Sequence, residues 1–232
     1  MGTKQVIIIG GGLQGLTTAN FLLDSGYEVL ILEQREGIAQ ATSFANAGML
    51  TPSHSTPWNH ISDIKKVLSG IGKKDSPMSL NLRYLPSLLF WGLRFIRNSS
   101  SKRYMKNAAN CYYLADYSKK LTSNIRHKEN FKYDESINGT MKIFRSQKDF
   151  DETLKKTKVL NSLGIDFQVL DSRELVLKEP QLEDISYSIN GAIYYPQDEV
   201  GDAYKFCLEL EKLIKKKGGR IHTKTEIKKI LV

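Results

Sequence analysis

The chain has 232 residues, of which 41% are hydrophobic and 25% charged. That length and balance suffice for one large domain or two small ones with a real core, and they exclude a disordered chain. Lys and Arg total 34 against 25 acids, a net charge of +9 that favours acidic partners without specifying one. The positive charge is spread along the chain, with no helix-turn-helix, RRM or zinc pattern, so no nucleic-acid partner is expected. Cys111 and Cys207 match no CxxC or metal spacing, which excludes a disulfide framework and fits a reducing compartment. His54, His60, His127 and His222 are scattered, so no metal is expected. No apolar run reaches the about 18 residues of a membrane span.

Val6-Ile7-Ile8-Ile9 reads as a buried strand. Gly10-Gly11-Gly12-Leu13-Gln14-Gly15 follows directly, and Leu13, Leu16, Ala19, Phe21, Leu22 and Leu23 recur at roughly helical spacing up to a stop at Gly26. A second strand, Val29-Leu30-Ile31-Leu32, ends at Glu33. Gly10 permits a tight turn. Gly12 lets a pyrophosphate approach the backbone, and Gly15 lets the helix pack closely on the strand. The helix N-terminus then offers N–H donors and partial positive charge to phosphates. Glu33 stands where a carboxylate about 20 residues on accepts from ribose hydroxyls and repels a 2′-phosphate. Strand, glycine turn, helix, strand and acid in this order point to dinucleotide binding. The apolar start is read as that first strand and not as the h-region of a signal peptide.

After Glu33 the chain runs through Gln34-Arg35-Glu36-Gly37 into Ala41-Thr42-Ser43-Phe44-Ala45-Asn46-Ala47-Gly48-Met49-Leu50. Small residues and side-chain hydrogen-bonders suit a loop that passes close to a flat ligand. Composition alone leaves that open against a surface loop with a helix cap at Thr42 or Ser43. Pro52 and Pro57 end any regular continuation.

Ile61, Ile64, Val67 and Leu68 suggest a short helix closed near Gly70 and Gly72. Leu80 to Ile96 is dense in Leu, Phe and Trp, with Pro86 early in a helix. From Leu85 to Arg103 the chain carries aromatics bordered by Arg83, Arg94, Arg97, Lys102 and Arg103. That composition suits either a helix on an anionic membrane surface or a core helix whose arginines reach solvent. Aromatic stripes are usually packing, so the core helix is the expectation. A helix is predicted over Tyr104 to Ile125, a strand over Gly139 to Arg145, and an amphipathic helix over Phe150 to Leu163. Asp171-Ser172-Arg173-Glu174 predicts a capping box, and Ala192 to Tyr195 a strand ending at Pro196. Asp202 caps a helix that Gly218-Gly219 stops, with Lys212, Lys215, Lys216 and Lys217 as its solvated end.

The glycine motif, Glu33 and especially Thr42-Ser43-Phe44-Ala45-Asn46-Ala47-Gly48 resemble the small-subunit type of D-amino-acid dehydrogenase. These are FAD-dependent enzymes of the D-amino-acid oxidase and glycine oxidase superfamily. The resemblance continues at Pro57-Trp58, Arg103-Tyr104, Leu114 to Ser118, Gly139 to Arg145, Glu179-Pro180, Pro196 to Asp202 and Thr225 to Ile227, and so spans the chain. It implies an α/β fold: a Rossmann-like FAD-binding domain over 1–60 and 197–232, with an inserted α+β substrate or cap domain over 61–196. It implies FAD as cofactor. Ile9, Gly10, Gly11, Gly12, Leu13, Gln14 and Gly15 would meet the phosphates. Glu33 and Arg35 would lie near the adenosine, and Gln34 would belong to the same cofactor site. Thr42, Ser43, Asn46, Ala47, Gly48 and Leu50 would line the pyrophosphate and flavin, and the backbone of Ile227 would touch the adenine. Family members are much longer, so the sequence is expected to be an amino-terminal half, with its sheet truncated at the carboxy-terminal side. An uncovered edge and apolar face are then expected to make the isolated chain prone to aggregate or bind flavin weakly.

The implied reaction is oxidation of a D-amino acid to an imino acid, which water hydrolyses to a 2-oxo acid and ammonia. FAD carries the chemistry, so no dedicated nucleophile is required. The substrate carboxylate needs a cation, usually Arg. Arg145 is a candidate for a supporting place behind that cation, although a strand-end arginine is more often on the surface, and no catalytic residue is named. A respiratory-chain or quinone acceptor is implied. The implied location is the cytoplasm, with peripheral contact at the inner face of the plasma membrane. Two other readings are a glycine or sarcosine oxidase using oxygen, and a non-catalytic FAD-binding subunit that needs a partner chain.

Overall fold

The structure, a computed structural model, describes residues 4–59 and 85–231. The helix expected over Ile61 to Leu68, like His60, lies outside the described residues. Strand β1 (Gln5–Ile9) leads through the glycine turn into helix α1 (Leu13–Asp24), and β2 (Glu28–Leu32) follows. The two strands pair in parallel from Gln5 opposite Glu28 to Ile9 opposite Leu32. Gly26, at φ +81°, supplies the left-handed turn that ends the helix. In chain order there follow β3 (Met49–Leu50), a 3-10 turn (Pro52–His54), α2 (Leu85–Asn98), α3 (Ser101–Glu129), β4 (Thr140–Phe144), α4 (Gln147–Asn161), β5 (Gln168–Leu170) and α5 (Ser172–Lys178). A 3-10 stretch (Pro180–Ser188), β6 (Gly191–Tyr195), β7 (Glu199–Val200), α6 (Ala203–Lys216) and β8 (Arg220–His222) complete it.

The chain divides into two compact units. The first comprises Met1–Leu50, Leu121–Thr140 and Gln197–Val232, and the second Thr51–Lys120 and Met141–Pro196. These bounds differ from the sequence division at Thr51 to Asn59 and at Leu121 to Thr140. The second difference has a physical cause. Phe131 and Tyr133 set their rings edge-on against Phe206 of α6, at 5.6 and 5.1 Å, which ties this stretch to the first unit.

In the first unit the sheet order is β1-β2-β8, with β8 also parallel to β2. Leu16 and Ala19 of α1 pack with Val29 and Ile31 of β2 and with Phe206, Cys207, Leu210, Leu213 and Ile214 of α6 in one buried cluster. Asp202 caps α6 by accepting the Lys205 N–H at 2.9 Å. Lys217, at the end of that helix, reaches Asn20 at 2.8 Å and Asp24 at 2.6 Å on α1, so it is a cross-helix clasp and not a purely solvated end. The expectation of a fully buried first strand is also corrected. Ile7 and Ile9 are 55% and 56% exposed, because α1 and α6 both supply the cluster that covers the opposite side of β1 and β2.

Cys207 is fully buried, and burial, with Asp202 nearby, pushes its thiol up to about 12. Cys111 is exposed. The thiolate is the reactive species. Alkylation by iodoacetamide at neutral pH is therefore expected at Cys111 in the native protein and at both thiols only in denaturant, a difference that mass spectrometry reads directly. Equal labelling of both native thiols would contradict the buried position.

The second unit holds a three-stranded sheet of order β4-β6-β5, with β5 antiparallel to β6. Phe144, Phe150, Leu160, Ile165, Ile193, Tyr195 and Tyr112 of α3 form its main core. Gly191 lies directly beneath the Phe150 ring, where a Cβ would come to 2.9 Å. The capping box is present: Asp171 accepts the Arg173 and Glu174 N–H groups, and Glu174 accepts the Asp171 N–H at 2.9 Å. The expectation that α2 is a core helix is overturned. Its Leu89, Phe90, Leu93 and Ile96 are 59%, 80%, 58% and 60% exposed. No helix among the described residues is long and apolar enough to cross a membrane.

Candidate functional site

The site forms where β1 ends. Gly10 turns the chain at φ +104°, and its N–H donates to the Leu32 carbonyl at 2.8 Å. Gly12 begins α1 with no side-chain cap, and the first turn carries no acid. The helix end therefore keeps its partial positive charge, which favours an anion, and offers N–H donors beyond the one that Ser43 takes. Gly15 is a matter of space: a Cβ there would stand 2.0 Å from the Gly10 carbonyl oxygen. Helix α1 can cross β1 this closely only without a side chain at Gly15.

Glu33 does more than stand at a strand end. Its side chain is buried, and Oε2 accepts the Gly11 N–H at 2.7 Å while Oε1 accepts the Arg35 N–H at 2.9 Å. One carboxylate thus holds the glycine turn and the following bend together. An ionised carboxylate accepts at about four lone-pair sites, so capacity for two ribose hydroxyls remains. The backbone around it is fixed from the other side. Glu33 N–H donates to the His222 carbonyl, Thr225 N–H to the Glu33 carbonyl and Lys224 N–H to the Arg35 carbonyl, each at 2.8 Å. The segment leading to Ile227 therefore runs along residues 33–35. Ile227 itself is 37% exposed, and Gln14, Gln34 and Arg35 are exposed as well.

Loop 42–50 is drawn onto the same helix end. The Ser43 hydroxyl accepts the Leu13 N–H at 3.0 Å, and Ser43 Oγ lies 3.3 Å from where a Gly12 Cβ would be. Ser43 thus uses one N-terminal donor, and the missing side chain at Gly12 avoids the tight contact that a Cβ would make with it. Asn46 Oδ1 accepts the Gly48 N–H at 2.7 Å. Gly48, at φ +60°, would put a Cβ 2.0 Å from the Gly201 carbonyl oxygen, and Gly201 N–H donates to the Gly48 carbonyl at 2.8 Å. From there Met49 and Leu50 pair with Val200 and Glu199. Thr42, Asn46 and Ala47 stay exposed, and Leu50 is half-buried. The structure thus brings together the glycine turn, Glu33, Ser43 and the residues before Ile227, all within the first unit.

Sequence reasoning missed the group that holds the far end of this loop. Arg126, buried near the end of α3, donates to Glu199 Oε2 at 2.5 Å, to the Tyr133 hydroxyl at 3.1 Å and to Ser123 Oγ at 2.9 Å. Burial opposes its charge, but the hydrogen bonds to Glu199 and Tyr133 outweigh that and raise the guanidinium above its ordinary value. Burial likewise raises the Tyr133 phenol. An arginine in a helix with many charges carries no periodicity signal of burial. Arg145 lies just beyond β4 with its side chain exposed, and its carbonyl accepts from Asn190 at 2.8 Å. Among the described residues no group of His, Cys, Asp and Glu is placed to hold a metal.

Residues 5–232 match the family model described as FAD dependent oxidoreductase. The chain belongs to that family. Among curated relatives it is 34% identical over 214 residues to a D-amino acid dehydrogenase of Phenylobacterium zucineum, covering 92% of this chain and 50% of the relative. It is 32% identical over 227 residues to D-amino acid dehydrogenase 1 of Mesorhizobium japonicum, covering 98% of this chain and 54% of the relative. The FAD-dependent oxidoreductase chain thus spans about half the length of the curated relatives it matches. Solved structures place the fold in the same group. L-proline dehydrogenase of P. horikoshii superposes with a TM-score of 0.64 at 17% identity, over 99% of this chain and 46% of that one. Glycine oxidase of Bacillus cereus gives 0.61 at 21%, over 100% and 48%. The L-α-glycerophosphate oxidase of Mycoplasma pneumoniae, solved with FAD bound, gives 0.56 at 18%, over 98% and 46%. The mixed α/β architecture and the Rossmann-like turn expected from the sequence are those of this family. The uncapped helix end, the glycine turn without side chains and the spare capacity of Glu33 fit FAD.

Proposed function

We propose that this chain is the dinucleotide-holding part of an oxidoreductase that uses FAD to oxidise the Cα–N bond of D-amino acids. The observation that carries the reading is the junction of Gly11, Glu33, Leu13 and Ser43. In this reading the first unit binds FAD and the second contributes to substrate binding. The N-terminus of α1 takes the pyrophosphate, with Gly12 and Gln14 offering backbone N–H groups to it, while Gly10 and Gly11, whose N–H groups are held by Leu32 and Glu33, shape the turn that lets it approach. Glu33 accepts from the ribose hydroxyls while still holding Gly11, and the exposed Arg35 borders the adenosine. Thr42 to Leu50 passes beside the pyrophosphate and flavin, and Ile227 offers backbone to the adenine. When bound, FAD supplies the two-electron acceptor for the hydride leaving Cα. The chain's own residues orient it and exclude a 2′-phosphate through the Glu33 charge.

The product is an imino acid, which water converts to a 2-oxo acid and ammonia. A respiratory-chain or quinone acceptor then takes the electrons, with the enzyme on the cytoplasmic side and in peripheral contact with the plasma membrane. The test is the protein as its source cell makes it, assayed with D- and L-amino acids, glycine and sarcosine. Flavin-dependent oxidation of D-amino acids with a dye acceptor, without peroxide, is the expected result. Peroxide release from glycine or sarcosine would move the assignment to an oxidase. A flavoprotein that oxidises none of these would overturn the amino-acid reading.

A further inference from the structure

Helix α2 is built like a surface that meets something apolar and acidic. Leu89, Leu93 and Ile96 recur at i, i+4 and i+7 on one face and are all more than half exposed. Phe90, 80% exposed, shares the adjoining stripe with Arg94 and Arg97. The next stripe carries Trp91, stacked on Phe95 at 5.0 Å, and Trp58 lies against Phe95 at 4.9 Å. Trp58 and Trp91 are the chain's two tryptophans, and they are 60% and 51% exposed. Arg94, Arg97, Lys102 and Arg103 lie in or just after the helix, and no Asp or Glu occurs between Leu85 and Arg103.

A contiguous exposed apolar surface of this kind marks an interaction site. The charge pattern decides its partner. Four cations with no acid beside a band of Leu, Ile, Phe and Trp match the headgroup region of an anionic bilayer. There Trp side chains sit at the interface, and Lys and Arg reach the phosphates. A hydrophobic protein groove would account for the apolar band but not for four cations and no acid over residues 85–103.

We propose that α2, with Trp58, is a membrane-surface helix that lies in the plane of an anionic phospholipid bilayer. The aliphatic and aromatic residues enter the headgroup boundary, and the arginines contact lipid phosphates. This deepens the reading above by naming the surface and the lipid chemistry of the membrane contact. It rests on the helix itself, so vesicle binding and amino-acid oxidation are separate readouts.

The experiment uses the protein as natively produced and vesicles of phosphatidylethanolamine with or without phosphatidylglycerol. Flotation is expected with the anionic vesicles, on the order of tenfold stronger than with neutral ones and weakened by salt. Subtracting the emission of a Trp58→Phe/Trp91→Phe protein should show a blue shift of these two tryptophans on vesicle addition. Phe90→Ser/Leu93→Ser, and separately Arg94→Gln/Arg97→Gln, should each reduce flotation on the order of tenfold while the melting temperature and turnover with a soluble dye stay unchanged. Absence of flotation would overturn the proposal, as would flotation that neither pair of substitutions weakens. Tryptophans already blue-shifted and shielded from acrylamide without vesicles would also overturn it, because another part of the protein would then cover the helix. Loss of dye turnover with flotation intact would strike only the functional reading.

Discussion

Replacing Glu33 with Ala should strip the protein of bound flavin without unfolding it. The side chain is buried and accepts two backbone N–H groups, those of Gly11 and Arg35. Removing it leaves the Gly11 N–H without an acceptor, which costs about 1–3 kcal/mol. In the proposed FAD site, loss of charge-assisted hydrogen bonds from Glu33 to the ribose would remove about 1.5–3 kcal/mol of FAD binding. At about 1.4 kcal/mol per tenfold, the expected rise in the FAD dissociation constant is on the order of a hundredfold. Glu33→Gln should fall nearly as far, because its amide nitrogen would face one of two backbone donors. Glu33→Asp should not rescue it, since the shorter side chain withdraws from a bond now 2.7 Å long. Titration of the apoprotein with FAD, followed by flavin fluorescence, measures this. Wild-type affinity in Glu33→Ala would remove Glu33 from the site.

The second large effect is one of stability. The Arg126 and Glu199 side chains are 8% and 13% exposed and form an ion pair at 2.5 Å. Breaking such a pair from one side leaves a buried uncompensated charge and costs about 3–5 kcal/mol. Arg126→Met should therefore lower the melting temperature by on the order of 10 °C. The double substitution Arg126→Met/Glu199→Leu should recover most of that, because no buried charge is stranded. Arg126→Lys should fall between, lacking the fork that reaches Glu199, Tyr133 and Ser123 together. Glu199 faces Leu50 across the β3–β7 pair, so the single variants should also weaken FAD binding through the loop end. Thermal and denaturant melts of the four proteins decide it. A cost below about 1 kcal/mol for Arg126→Met would mean that the pair behaves as a solvated surface bridge.

The sequence by itself determined the local units: the strand–glycine turn–helix–strand order, the Asp171 capping box, the Asp202 cap and the glycine stops. Each rests on contacts within a few residues, where periodicity, capping side chains and positive-φ glycines speak directly. It also marked Glu33 as belonging with the glycine turn, whereas composition left the Thr42 to Leu50 loop open and only the family resemblance tied it to the same site. Only the tertiary structure decided how they meet. The Glu33 bond to Gly11, the Ser43 bond to Leu13 and the Gly48 crossing with Gly201 join residues far apart in the chain. Arg126 and Glu199 stand 73 residues apart. Polar pairs of that kind leave no period in the sequence, and two-residue strands such as β3 and β7 are too short to show one. The same holds for exposure. Ile7, Ile9, Phe90 and Leu93 read as core residues by type. Whether an apolar side chain is buried depends on which neighbouring element covers it, and that is a property of packing, not of the residue.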